Sequence, residues 1–402
     1  MCINRSRLPR RCVLFLKDEK DKLLLQPETY LFGEWVGQTN TVFLTPYLPP
    51  CGSFSTIGVY GKHTENKERC QELWTVWPKG KSLVAKRFVN IEDIELPVEL
   101  IYSTDTYART PFSPLEMEIL WNKKVTIIGN GTGGAKIALE LARAGIGCIK
   151  LCDPEKIDFS NISRHEGDLF DAGKPKTQVL AERIYRINPA IYIETYAEDI
   201  FKQPLKKVKK ILNSDLVVAA TDKTSIQLLI NELTHKSGIA CVFGGCYEEA
   251  RGGEVFYTLP GEKMPCLACL RADLKQPKKS AKIDYSTATG PEDYQGEPGL
   301  HAAIDFITCL EIQICLAILL HKVPTSRLAK LIDPRFNFIL VGGALASGFY
   351  RFKKPFDIFF QPLKGPRKNC VACGDSGWLL QDMINPPSNT KDSRTNLKKE
   401  DK

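Results

Sequence analysis

The stretch VTIIGNGTGGAKIALELARAG, residues 125–145, decides the fold. A short apolar, β-branched run stops at a glycine cluster, and apolar residues then recur every three or four positions. A strand that turns through glycines straight into a helix offers backbone N–H groups to phosphate at the helix start. Gly129, Gly131 and Gly134 are the candidate positions for that close approach. The next strand, CIKLCD, ends at Asp153, about twenty residues further on, where an acid can bond a ribose hydroxyl. On its own this pattern fits hydride transfer with a nicotinamide dinucleotide as well as any other nucleotide chemistry.

Working outward, apolar strands (VTIIG, CIKLCD, IYIETYA, LVVAAT, ACVFGG) alternate with helical stretches (AKIALELARAG, KTQVLAERIYRI, TSIQLLINELTHK). That alternation predicts an α/β, Rossmann-like, doubly wound and mainly parallel sheet. Upstream, short β-rich runs (CVLFLK, NTVFLT, TIGVYG, ELWTVW) separated by Pro and Gly predict a smaller N-terminal α+β or β-rich domain. The expected boundaries are 1–110 for this accessory domain, 111–380 for the sheet domain and 381–402 for a polar, frayed tail.

The 402 residues carry 55 Lys+Arg against 47 Asp+Glu, a net charge of +8 that is scattered rather than striped. Nucleic acid is therefore not an expected partner, and Lys206 to Lys210 and Lys275 to Lys282 are read as solvated faces, the alternative being docking sites for an acidic partner or nucleic acid. With 43% apolar residues the chain is neither disordered throughout nor collagen-like. The apolar run from Cys309 to Leu320 contains Glu311 and Gln313 and reads as too short to cross a membrane. The basic N-terminus lacks an apolar core segment, so the expected compartment is the cytoplasm, with the fourteen cysteines as thiols or metal ligands.

Cys266-Leu-Ala-Cys269 and Cys370-Val-Ala-Cys373 are two such knuckles, a hundred residues apart. Paired thiolates at this spacing predict a closed, structural Zn²⁺ site, the alternative being four reduced core thiols. For Cys148, Cys152, Cys309 and Cys315 core packing is expected.

The segment DPEKIDFSNISRHEGDLFDAGKPKTQVLAERIYRINP, which follows the second strand, has no use in a redox domain. It brings Asn161, Arg164 and Lys176 toward the carboxyl ends of the strands, where fixed cations stabilise departing pyrophosphate. Surface ion pairing is the alternative for both cations. Asp222 ends the strand LVVAAT, where an open α/β sheet binds ligands, and it also sits where a helix N-cap is expected.

In order, GNGTGG, Asp153, Ser160 to His165, Gly173 to Lys176, Ile187 to Pro189, Thr221-Asp222 and the two knuckles resemble the ThiF/MoeB/ubiquitin-activating-enzyme family. The family pattern is a glycine turn, an acid, "SNL-x-RQ", "G-x-x-K", "INP", "TD" and two C-x-x-C pairs; the resemblance spans roughly Trp121 to Gly374. It implies ATP-dependent adenylation of the C-terminal carboxylate of a ubiquitin-like protein. Asp153 would hold the ribose, Asn161, Arg164 and Lys176 the phosphates, and Asp222 the Mg²⁺; Glu155 stands where the family often has a second acid. The resemblance further implies a homodimer whose partner contributes an arginine, for which Arg109 is the candidate, and a downstream partner that is either a ubiquitin-conjugating-like enzyme or a sulfur-transfer protein. The thioester cysteine of ubiquitin-activating enzymes has no counterpart in the loop from Leu274 to Gly299. Cys246 is then the remaining candidate near the nucleotide, open to both nucleophilic and packing readings.

The same nucleotide site would also serve adenylation of tRNA or a metabolite, or a non-catalytic scaffold. In the N-terminal domain QPETYLFGEWVG, YLPPCGSF and ELWTVWP faintly resemble JAB/MPN isopeptidases, with Thr75 and Trp77 in place of zinc-binding histidines. The resemblance implies an inactive docking domain. His63 with Cys51 and Cys70 lacks ligand spacing.

Overall fold

The computed structural model describes residues 11–26, 29–36, 41–50, 56–60, 73–79, 82–87, 95–273 and 299–374. Outside them lie Cys51, His63, Cys70, the loop at 274–298 and the expected tail at 381–402; the side chains of Thr75 and Trp77 also fall outside. The chain divides into two compact units, each assembled from three stretches. One comprises Met1–Lys123, Ala138–Ile149 and Lys174–Thr195, the other Lys124–Ile137, Lys150–Gly173 and Tyr196–Lys402.

The first unit contains a closed barrel of β1 (Arg11–Leu16), β2 (Tyr30–Val36), β3 (Thr41–Thr45), β4 (Thr56–Tyr60), β5 (Leu73–Lys79), β6 (Ser82–Arg87) and β7 (Glu95–Tyr102). Its order is β1-β3-β2-β4-β5-β6-β7, closed by parallel pairing of β7 with β1. Closure leaves no free strand edge. Alternate residues Cys12, Leu14 and Leu16 meet Leu31, Val42, Leu44 and Val76 inside, the pattern expected of a strand with one buried face. A single turn α1 (Ser103–Thr106) leads to α2 (Pro114–Trp121). That helix opens on a capping box, in which Ser113 Oγ accepts from Glu116 N–H at 3.3 Å and Glu116 Oε2 accepts from Ser113 N–H at 2.8 Å.

Two later helices, α3 (Thr132–Arg143) and α4 (Lys176–Ile187), contribute to the same unit. Tyr107 donates to the Ala142 carbonyl at 3.0 Å and accepts from Asn188 Nδ2 at 2.7 Å. Tyr185 of α4 donates to the Tyr47 carbonyl, just past β3, at 3.1 Å. A barrel-side backbone group is thus satisfied by the helix that Lys176 begins.

The remaining elements are β8 (Lys124–Ile128), β9 (Cys148–Cys152), β10 (Tyr192–Tyr196), α5 (Leu205–Leu212), β11 (Leu216–Ala219), α6 (Thr224–Ser237), β12 (Ala240–Cys246), β13 (Gly252–Thr258), α7 (Leu267–Asp273), α8 (His301–Leu320), β14 (Phe338–Gly342) and β15 (Ile358–Gln361). The strands form one sheet in the order β10-β9-β8-β11-β12-β13-β14-β15. β11 runs parallel to β8 and β12, and its fully buried sequence LVVA is the continuous apolar run of a strand covered on both faces. From β12 to β15 every pairing is antiparallel. Lys150 in β9 is buried because its ammonium caps the end of α5, donating to the carbonyls of Lys210 at 2.9 Å and Asn213 at 3.2 Å.

Helix α8 is longer than the apolar run that announced it. At 20 residues it is long and apolar enough to cross a membrane by length and composition, which corrects the expectation of a segment too short to do so. Two thirds of it is nevertheless buried inside the protein, against β11, β12 and β13, as in the core helix of a globular fold. Cys315 joins that core, whereas Cys309, also expected there, is exposed: with Ala302, Phe306 and Gln313 it forms the outer stripe of the helix.

Glu311 lies on the inner stripe with Oε1 lacking a hydrogen-bond partner, and burial pushes its carboxyl up to about 8. Because the folded-state value exceeds the unfolded one, the folded protein holds this proton more tightly. The stability it contributes is complete below the ordinary carboxylate range and is lost as pH rises through 8. Glu311→Gln should therefore melt close to wild type near pH 4.5 and progressively above it toward pH 8. The gain should accrue at up to about 1.4 kcal/mol per pH unit. Thermal melts across that range check it, and a constant offset between the two proteins would refute it.

Candidate functional site

The glycine turn is shaped by what it touches. Gly129, at φ +87°, directly follows β8, and a Cβ there would lie 2.4 Å from the Ala220 carbonyl oxygen, just beyond β11. A Cβ on Gly134 would stand 1.9 Å from the Gly129 oxygen. At both positions only glycine lets the turn close against the neighbouring strand end. Gly131 has no neighbour within 4 Å of a would-be Cβ, so its backbone faces open space. The sheet order places β9 on one side of β8 and β11 on the other, which makes this the topological switch point where an open α/β sheet binds ligands.

One residue of the turn, Asn130, is pinned through both of its flanking peptide groups. Asp153, buried after β9, accepts from the Asn130 N–H at 2.6 Å with Oδ2 and from the Glu155 N–H at 2.7 Å with Oδ1. The Asn130 carbonyl lies 2.8 Å from Nε2 of His165. Glu155 itself points to solvent. Arg164, half-buried, precedes His165 in a tight turn in which the N–H groups of both residues reach the Asn161 carbonyl, at 3.0 and 2.8 Å. Asn161 in turn accepts from the Asp158 N–H through Oδ1 at 3.2 Å. Lys136 of α3 pairs with Glu166 at 3.8 Å and Asp305 of α8 at 3.3 Å, joining the arginine loop to two helices.

Asp222 is exposed beyond β11, beside Thr221, whose backbone nitrogen stands 3.2 Å from the would-be Gly129 Cβ. The alternative N-cap role is not the one it takes. Lys223 is the N-cap of α6, and no side chain caps that helix. Cys246, at the end of β12, is exposed rather than packed. Crowding by surrounding protein nevertheless pushes its thiol up to about 12; Glu311 adds to the rise and Arg164 opposes it. A thiol so placed is not a thiolate near neutrality, so the activation that a nucleophile needs is missing. Lys176, buried at the first position of α4, and Arg109, exposed beyond α1, belong to the other compact unit.

The four knuckle cysteines converge. Their Sγ atoms lie within 4.8 Å of one another, with 3.9 Å between Cys266 and Cys269, and 3.5 Å both from Cys266 to Cys370 and from Cys269 to Cys373. Ligands at about 2.3 Å from a tetrahedral zinc would stand about 3.8 Å apart, so the arrangement fits that ion. Hydrogen bonds from Cys266 and Cys373 hold the Cys269 thiol below its ordinary value and hold their own thiols above it.

His165 received no role from the sequence beyond its place in a motif. The available signal was a histidine two residues before a glycine, which lets Nδ1 accept the Gly167 N–H, here at 2.8 Å.

The sulfur carrier protein ThiS adenylyltransferase of Bacillus subtilis is 29% identical over 174 residues, covering 42% of this chain and 50% of that protein. The adenylyltransferase and sulfurtransferase UBA4 of Candida albicans is 26% identical over 316 residues, 76% of this chain and 63% of that one. Ubiquitin-like modifier-activating enzyme 5 of Caenorhabditis elegans is 27% identical over 164 residues, 39% of each. The chain thus spans from under half to under two thirds of the length of these curated relatives. Among solved structures, E. coli MccB crystallised with MccA matches at a TM-score of 0.50 and 20% identity, over 67% of this chain and 74% of that one, which shows a shared fold. The ThiF family model matches residues 105–340, more than half of the sequence, taking in the glycine turn, the arginine loop, Asp222 and the first cysteine knuckle, and the chain belongs to the ThiF family.

Proposed function

We propose that the protein uses ATP to adenylate the C-terminal carboxylate of a ubiquitin-like protein. The observation that carries the reading is the glycine turn at the switch point, with the backbone N–H of Asn130 held by Asp153 and its carbonyl by the loop bearing Arg164. Relatives named for adenylating a sulfur carrier protein and for activating a ubiquitin-like modifier support the choice of substrate. The incoming carboxylate oxygen attacks the α-phosphorus of ATP, the bond to the bridging oxygen of pyrophosphate breaks, and an acyl-adenylate results. Gly131 leaves the backbone open to phosphate, and Asp153 orients the ribose side. Arg164 and Lys176 stabilise the charge that gathers on departing pyrophosphate. Asn161 completes the phosphate contacts, and Asp222 would hold a Mg²⁺ through one carboxylate, as Mg²⁺ shared with phosphates prefers.

Zn²⁺ would be held by Cys266, Cys269, Cys370 and Cys373 in a closed shell, with a structural task only. Arg109 is assigned to the partner of a homodimer, and the barrel to docking. Transfer to a conjugating enzyme needs no enzyme thioester in this scheme, consistent with the raised Cys246 thiol. Cys246→Ser should accordingly keep adenylation intact and change no band on a non-reducing gel; a thioester lost in that variant would reinstate the cysteine.

The deciding experiment is ATP–pyrophosphate exchange against a panel of carboxylates: ubiquitin-like proteins ending in glycine, tRNA and small metabolites. Stimulation by a protein tail is expected. Stimulation by tRNA or a metabolite alone would replace the substrate, and exchange with no member would leave a nucleotide-binding scaffold.

A further inference from the structure

We infer that His165 is a positioning residue that ties the phosphate-facing arginine to the glycine turn, so that Arg164 acts only from a loop locked to Asn130. The inference rests on the adenylation reading and adds to it a residue with no contact to substrate. His165 is 6% exposed. Nδ1 accepts the Gly167 N–H at 2.8 Å and so carries no proton of its own. In a neutral imidazole the proton then sits on Nε2, the nitrogen 2.8 Å from the Asn130 carbonyl, which makes that contact a donated hydrogen bond. The other end of the Asn130 residue, its N–H, is held by Asp153. Three segments distant in sequence therefore meet at one residue: the turn after β8, the acid after β9 and the arginine loop.

The loop cannot absorb slack at His165 without moving Arg164. Both residues hang from the Asn161 carbonyl, and Gly167 closes the far side back onto the imidazole. A Cβ on Gly167 would lie 3.1 Å from Ile157 Cδ1 and 3.2 Å from Nδ1, so that closure is tight. Loss of the bridge frees the loop by the order of an ångström, a displacement that costs about 10²-fold when it separates a charged group from its reacting partner.

Two short amides separate the bridge from the local turn. His165→Asn keeps an acceptor for Gly167 but is too short to reach Asn130. His165→Gln reaches Asn130 with an N–H donor. Full-length proteins are compared by ATP–pyrophosphate exchange, with circular dichroism and melting temperature as fold controls, each variant alone and with Arg164→Ala. The expected result is an exchange kcat lowered about 10- to 100-fold by His165→Asn, within about threefold of wild type for His165→Gln, and no further change from either in the Arg164→Ala background. Equal effects of the two amides, or effects that multiply with Arg164→Ala, would overturn the bridge while leaving adenylation standing. Undiminished exchange in Arg164→Ala alone would overturn both.

Discussion

Lys176→Ala should lower ATP–pyrophosphate exchange by about 10²- to 10³-fold while leaving the melting temperature unchanged or slightly raised. Lys176 is buried and stands at the first position of α4, after Pro175, with no side-chain cap on that end. A cation there opposes the positive end of the helix dipole, by about 0.3–1 kcal/mol at an exposed site. Burial of its stem does not remove the desolvation cost of the ammonium. A phosphate arriving at the helix start would meet both the ammonium and the N–H groups of the first turn. The measurement is paired: exchange rate and thermal melt on the same preparation. Collapse of exchange with an intact melt supports the assignment. Unchanged exchange removes Lys176 from the chemistry.

Removal of zinc is the other large effect. The chelated protein should release one ion per chain and melt lower by roughly 10 °C or more, since structural zinc supplies folding free energy outright. Cys266 lies just before α7, and the Leu267 N–H is accepted by Asn231 Oδ1 of α6 at 2.8 Å. Cys370 and Cys373 come from the loop beyond β15, so the ion would fasten that loop to the α6–α7 corner. Without a metal, four sulfurs crowd together with weak hydrogen bonds for compensation, among them one from the Arg367 N–H to Cys269 Sγ at 3.5 Å. Metal content and melting curves before and after chelation decide it, and a metal-free preparation of undiminished stability would refute the assignment. Cys373→Ser should reproduce most of the loss.

What could be read from the sequence follows the strength of each physical signal. The parallel part of the sheet announced itself because β8 and β11 are continuous apolar runs bounded by glycine or Asp222. The knuckles were legible because metal geometry dictates their spacing. β13 was not singled out, since it opens on two glycines. A Cβ on Gly252 would lie 2.6 Å from the Phe352 ring, and one on Gly253 2.5 Å from the Gly245 oxygen, so packing rather than turning demands them. The barrel's β2, β6 and β7 were not separated out, their pairings depending on partners distant in sequence. In the site, Asp153 was found through its spacing, but the atoms it bonds were not. His165 escaped because a tautomer and a backbone carbonyl leave no trace in a list of residue types. The exposure of Cys309 follows from the rotation of α8, which the apolar character of the stretch alone does not set.

All seven barrel strands lie within Arg11–Tyr102 and pair with one another, β7 back to β1, so every barrel pairing is available to the nascent chain before β8 emerges. Ring closure can thus precede synthesis of the glycine turn, and the later arrival of α4, with its Tyr185–Tyr47 contact, completes the unit without opening a strand edge.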